Sequence, residues 1–375
     1  MFIELHMIQS FAPSNLNRDD TNNPKDCEFG GVRRARISSQ CIKRAIRTSP
    51  VFAQATEVGI GTRTKRLLQR LRWRLTEAGK SKEEATQVLT SFVPQYASKL
   101  DSRDEDVKKT AVLLYVGDEE MDRIAETILE NWDQLSDDKA VKKLAGQLVK
   151  AHKGHTSAPD IALFGRMLAE KPALNLDAAC QVAHAISTHP VTMEMDFYTA
   201  VDDLAPDEET GAGMMGFTGF NSACFYRYAR IDWNQLVHNL NADEGLARRT
   251  VEAFLRAAIA AVPTGKQNAF AAHNPPDFLL AVVREDGMGW SMANAFEKPV
   301  RAGRSSGLVA PSVDALDAYW GRLSHVYATD TLASVAALPL NPDISLDHLA
   351  NHQVDNQQAW IAAVTGALPG QEGTA

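Results

Sequence analysis

The side chains best suited to chemistry in this sequence are the cations of RRARISSQCIKRAIR, residues 33–47, where six basic groups stand with no acid among them. Widening the window to 29–76 gives twelve Lys and Arg against Glu57 alone. The segment therefore carries +11 in a 375-residue chain of net charge −8, and the remainder carries −19. Charge segregated this far repels itself, and it persists where a polyanion lies against it. Such a run supports the holding of phosphate oxygens rather than bond breaking. For residues 63–74 a solvated helix face competes equally, because arginine is a good helix former. For 33–47 the mixture of serine, amide and base exceeds what solubility requires.

Groups that could break bonds are sparse. The pairs Asp19-Asp20 and Asp202-Asp203 would need further converging carboxylates to hold two catalytic metals, and none is placed by sequence. Asp19 is expected to anchor its own loop against Arg18 or Arg33. His152 with His155, and His184 with His189, lack the spacing that stacks two ligands on one helical face, and His184 reads as a packed or capping residue. Residues 211–216 satisfy G-x-G-x-x-G, but between two strands rather than at a strand-to-helix turn. Residues 264–267 lack the earlier glycine and the serine or threonine of a phosphate loop, and 289–293 miss the nucleophile elbow. The four cysteines (Cys27, Cys41, Cys180, Cys224) form no CxxC pair, so neither a zinc site nor a disulfide framework is expected.

Local elements must position the basic run. Residues 2–8 read as an opening strand, followed by a turn-rich loop through Lys25. Gly30-Gly31 suits positive φ or the close approach of a ligand. Residues 34–37 form a short strand, and Ser38-Ser39 cap a helix running to Thr48 before Pro50 stops it. On that helix Gln40, Lys43 and Arg47 share one face, while Ile42 and Ile46 turn inward. A capped helix N-terminus with an amide and stacked cations suits phosphate.

Further along, Leu67, Leu68, Leu71 and Leu75 mark an apolar helix face, as do Ile124, Ile128 and Leu129, with breaks near Gly79, Gly117 and Gly154. Residues 175–188 close this zone as a helix. Strands at 197–201 and 223–228 flank an acidic, glycine-rich tip and make a protruding hairpin. Helix 243–261, strand 278–284, helix 312–327 and a loose tail from 369 complete an α+β pattern compatible with a ferredoxin-like sheet. Hydrophobic residues make up 45% of the chain, enough for a real core. No run approaches eighteen apolar residues and no signal-peptide pattern opens the chain, so a cytoplasmic protein without a membrane partner is expected.

Several blocks, in order, resemble the CasC-type backbone subunit of the type I-E CRISPR Cascade complex. They are Asn17-Arg18-Asp19-Asp20, the stretch 29–40, Lys43-Arg44-Ala45, Asp160-Ile161-Ala162-Leu163, Gly165-Arg166-Met167, residues 183–189, 199–204, 225–229 and 291–298. The stretch from about 60 to 155 and the last fifty residues carry no matching motif. The resemblance implies an RRM-like (ferredoxin-like) palm at 1–58, 181–192 and 227–368. It further implies helical fingers at 59–180, a β-hairpin thumb at 193–226 and a flexible tail at 369–375. It implies a non-catalytic protein without a cofactor, whose partners are CRISPR guide RNA, target DNA, neighbouring copies of itself and other Cascade subunits. Guide phosphates would meet Arg18, Lys25, Ser38, Gln40, Lys43 and Arg47, with Lys298 and Arg301 from a later strand region, and Gly30 and Gly31 would allow close approach. Tyr198, Thr199 and Val201, with Met167, resemble positions that wedge between bases and turn one out. The alternative is an RRM-like ribonuclease processing repeat RNA, for which His6 is the one histidine near the basic N-terminal segment. A stand-alone RNA chaperone would want an aromatic RNP pattern that the strands lack.

Overall fold

The computed structural model describes residues 1–103, 107–135, 137–200, 203, 214–303, 307–327 and 329–370. Strands run over Phe2–Ser14 (β1), Asp26–Phe29 (β2), Val32–Ile37 (β3), Gly61–Thr64 (β4), Leu114–Gly117 (β5), Cys180–Val182 (β6), Ala185–Ser187 (β7), Glu194–Ala200 (β8), Met214–Asp232 (β9), Phe278–Arg284 (β10) and Leu332–Pro339 (β11). The chain divides into two compact units. The first comprises Met1–Ser49, Val182–Arg230 and Phe254–Ala375; the second comprises Pro50–Gln181 and Ile231–Ala253.

A sheet ordered β11-β10-β1-β9-β7-β3-β2 organises the first unit. Its opening strand is longer than the sequence suggests and is buried almost without a break from Ile3 to Ile8. The reason is double coverage. Ile8 joins Phe278, Leu280, Val282, Trp290 and Trp320 in a cluster with helix Val309–Tyr327 on one face. Leu5 and Met7 meet Ile42, Ile46, Phe254 and Ala258 on the other. A strand buried on both sides needs no polar alternation.

Polar groups in this strand are consequently paired internally. Glu4 accepts hydrogen bonds from the Tyr228 hydroxyl, the Trp290 amide and Arg284 Nε, each at 2.7 Å. The Arg284 guanidinium lies 3.7 Å from the Trp290 ring centroid. His6 Nδ1 meets the Tyr226 hydroxyl at 2.9 Å, and burial pushes the imidazole pKa down from 6.5 to about 4.

The second unit packs helices Leu67–Glu77, Lys82–Tyr96, Asp118–Glu130 and Asp138–Ala151 around one apolar cluster, beside the small β4–β5 sheet. The four leucines of the first helix are all buried, as their spacing requires. Glu120 accepts from Arg166 Nη1 at 2.8 Å and from the Tyr96 hydroxyl at 2.6 Å, and Tyr96 in turn meets His152 Nδ1 at 2.9 Å.

Two expectations need correction. Residues 175–188 are not a helix but contain β6 and β7, with Ile186 paired to Tyr226. Alanine-rich propensity yields there to a vacant sheet position. Pro50 does not merely stop a helix; it opens the next, Pro50–Thr56, where its missing N–H is harmless. Residues 231–253, expected within 227–368, cluster with the second unit.

Because the folded state holds His6 neutral, the unfolded chain takes up this proton first as pH falls below 6.5. The His6 contribution to stability is complete above pH 6.5 and is lost progressively toward pH 4, about 3 kcal/mol over that window. Urea unfolding between pH 4 and 7 should show a smaller pH slope in His6→Gln than in the wild type, whatever the variant's absolute stability.

Candidate nucleic-acid interface

The loop before β2, the β2–β3 hairpin and the helix Ser39–Arg47 (α1) are knitted by hydrogen bonds to main-chain groups. Asn17 Oδ1 accepts from Ser38 N at 2.8 Å, Lys25 N donates to Asn17 O at 2.9 Å, and Arg36 N donates to Lys25 O at 2.9 Å. Within the loop, Asp19 Oδ1 accepts from Thr21 N, Thr21 Oγ1 and Asn23 N, and the Thr21 hydroxyl first among these draws its pKa below the usual carboxylate range. Asp19 thus anchors its own turn, but not through Arg18 or Arg33. Arg18 reaches Asn22 Oδ1 at 3.3 Å and stays exposed, while Arg33 pairs with Asp26 at 2.7 Å.

Ser38 is the N-cap of α1, its Oγ accepting from Cys41 N at 3.3 Å. Ser39 N donates to His184 Nδ1 at 2.9 Å, so His184 is a capping residue. Partial burial, then Arg36 and Lys25, depress the His184 pKa, which keeps the accepting nitrogen unprotonated. The first turn carries no acid, and Arg44 and Arg47 sit in the last turn, where they complement the helix dipole. Gln40 and Lys25 are at least partly exposed, as is Lys43. Arg47 departs from the expected face: it is only 7% exposed and has interactions of its own. Arg44, not among the expected phosphate contacts, is exposed and lines with Arg18 a cavity of about 400 Å³.

Gly30 and Gly31 both take positive φ, 61° and 71°, as a two-residue hairpin turn demands. At Gly30 the close approach comes from the protein itself: a Cβ would lie 1.8 Å from the Glu297 carbonyl oxygen. Gly31 faces open space. Arg34 is completely buried and donates to the carbonyls of Phe29, Ser187 and Phe296 at 3.1, 3.0 and 2.7 Å. These bonds, with Val300 N to Thr188 O at 2.9 Å, fix the segment that carries Lys298 and Arg301. Both are exposed, on a loop after the 3₁₀ turn Met292–Phe296 rather than in a strand.

β8 pairs with the first part of β9, from Glu194 opposite Phe220 to Ala200 opposite Met214. Side-chain alternation gives this hairpin two faces. Met195, Phe197, Thr199, Met215 and Phe217 share one, with the two phenylalanine rings 5.2 Å apart. Tyr198 lies on the other, over Gly216, where a Cβ would be 2.4 Å from its hydroxyl. Tyr198 and Thr199 therefore point to opposite sides; Val201 lies outside the described residues, as do Asp202 and most of the glycine-rich tip. The exposed apolar face went unread in the sequence, although Met195 and Phe197 opposite Met215 and Phe217 carry its period-2 signal.

In the second unit, Met167 is 86% exposed. It follows Arg166, which is clamped by Glu120 and by the Leu174 carbonyl at 2.8 Å, and Gly165 at φ 76°. The ribonuclease reading loses its candidate residue, because His6 is fully buried and committed to Tyr226. Among the described residues, no helix is long and apolar enough to cross a membrane.

Residues 3–365 match the family described as CT1975-like protein. No curated protein matches. Among solved structures, a chain of a "CRISPR RNA-guided surveillance complex, pre-nicking" is similar with a TM-score of 0.86 and 33% identity, over 98% of this chain and 100% of that one. A chain of another "CRISPR RNA-guided surveillance complex" is similar with a TM-score of 0.76 and 28% identity, over 98% and 100%. With a family match across nearly its whole length and relatives covered end to end, this chain belongs to the CT1975-like protein family.

Proposed function

We propose that this protein is the repeated backbone subunit of a CRISPR RNA-guided surveillance complex of CasC type, in a type I-E system of the cytoplasm. It binds guide RNA along its length and presents it for pairing with target DNA. The observation that carries this reading is the capped N-terminus of α1 beside the exposed Arg18 and Arg44, in a chain similar throughout to subunits of such complexes. Helix N-termini and cations together hold phosphates without reading bases, which leaves sequence to Watson–Crick pairing.

The strand order β10-β1-β9-β7, with α1 after β1 and helix Glu244–Ala260 after β9, supports the ferredoxin-like, RRM-like palm. The second unit corresponds to the fingers and the β8–β9 hairpin to the thumb. Guide phosphates meet Arg18, Lys25, Gln40 and Lys43, with Lys298 and Arg301 beside them. Ser38 acts through the helix end that it caps, and Arg47 supports the helix from within. Neighbouring copies line up the basic stripe, which is how an acidic protein follows a polyanion. The thumb crosses the guide, where Tyr198 wedges beside an extruded base, and Met167 of the second unit is a further candidate wedge. Its apolar face rests on the next subunit. The role is a scaffold and not a nuclease, consistent with Asp19 and His6 being spent on structure.

Arg18→Ala combined with Lys43→Ala should weaken guide binding equally for unrelated guide sequences. The plot of log affinity against log salt should become shallower by about 1.4 units, for two phosphate contacts on a single strand. A filter-binding series from 50 to 300 mM salt, about the range over which such slopes are read, decides it; an unchanged slope means the run is only a solvated surface.

Chemical probing of the bound guide tests the wedge. Regularly spaced reactive nucleotides are expected with the wild type, fading in the Tyr198→Ala, Met167→Ala double variant. Uniform protection in the wild type would refute base extrusion while leaving the backbone role standing.

A further inference from the structure

Part of the sequence's basic run lies in the second unit and has no role in the interface above. The helix Leu67–Glu77 buries its leucines and turns Gln69, Arg70 and Trp73 toward an open cavity of about 450 Å³, with Arg66 at its N-cap. Thr62 and Thr64 of β4 form the opposite wall. The other arginines nearby are committed. Arg63 lies over the Tyr115 ring at 4.8 Å, Arg72 Nη1 donates to Thr86 at 3.4 Å, and Arg74 pairs with Asp122. Arg66 and Arg70 are exposed, and among the described residues neither side chain forms an ion pair. Trp73 is 57% exposed. Both the nitrogen and the oxygen of the Gln69 amide are covered without a partner among the described residues.

We propose that this surface binds a single-stranded nucleic-acid segment other than the guide, with a base stacked on Trp73 and adjoining phosphates on Arg66 and Arg70. The spacing of these residues over two helical turns sets the two cations and the indole along one face. An indole flanked by unpaired guanidinium groups is the pairing of stacking platform and charge that single strands use. An acidic protein surface would answer the arginines, but it gives no use to the exposed indole beside them.

The proposal goes beyond the guide-backbone reading and is tested apart from it. The full chain, purified with its guide RNA, is titrated with labelled oligothymidylate of about 15 nucleotides, a length within the range of single-strand site sizes, chosen not to pair with the guide. Trp73→Ala should weaken this binding by about tenfold, and Trp73→Phe should retain most of it. Arg66→Ala with Arg70→Ala should make the salt slope shallower by about 1.4 units. Guide co-purification should be unchanged in all three variants. Should Trp73→Ala fold poorly, the Phe variant and the arginine double variant still decide the matter. Unaltered oligothymidylate binding in the arginine variant overturns the proposal. So does loss of guide, or release of neighbouring subunits, with oligothymidylate binding intact, because the patch would then be a guide or protein contact.

Discussion

Arg34 holds the candidate interface together from inside the first unit. Its guanidinium is buried, its basicity lowered by that burial, and it is satisfied by main-chain carbonyls from three separate stretches of chain. A charge placed out of water is costly unless its donors are fully used, and breaking such an arrangement leaves an uncompensated cation. The β2–β3 hairpin, the end of β7 and the loop before Lys298 are therefore bound to one another through a single side chain. Gly30 belongs to the same junction, since only a residue without a Cβ lets the Glu297 carbonyl pass.

This arrangement changes the meaning of the basic run. Arg34 and Arg47 count toward local charge, yet both are buried, so fewer cations face outward than the formal total implies. Buried arginine is a recurring device in this chain. Arg227 bridges Gln9 and the Ala258 carbonyl, Arg284 joins Glu4 to Trp290, and in the second unit Arg166 links Glu120 to Leu174. Five planar donors on one head can tie together strands that share no side-chain packing.

What the sequence disclosed followed from period and local chemistry. Helix Glu244–Ala260 was legible from its period, strand Phe278–Arg284 from an unbroken apolar run of strand length, and the Ser38 cap because its chemistry is local. The four leucines from Leu67 to Leu75 declared a buried helix face for the same reason. Burial of Arg34 was not legible, since its partners Ser187 and Phe296 lie far away along the chain. Residues 175–188 misled because alanine favours helix wherever no sheet competes. The edge strand β11 went unseen, as a short run of small residues has no distinctive pattern. Asp19 was correctly expected to serve its loop, but the hydroxyl and amide that hold it, from Thr21 and Asn23, outcompeted the more obvious arginines.

The opening strand has a consequence for how the protein comes into being. β1 is made first, yet its sheet neighbours are β9 and β10, whose residues begin at Met214 and Phe278. At about 5–20 residues per second, roughly 10–40 s of synthesis separate β1 from the first residues able to pair with it. During that interval an apolar strand with both edges open must avoid its counterparts on other nascent chains. Contacts so distant in sequence also make folding slow. For a chain whose proposed role calls for several copies, the interval between translation and sheet closure is where crowding by its own kind is most hazardous, so the rate of synthesis is as much a part of its assembly as the surfaces it finally presents.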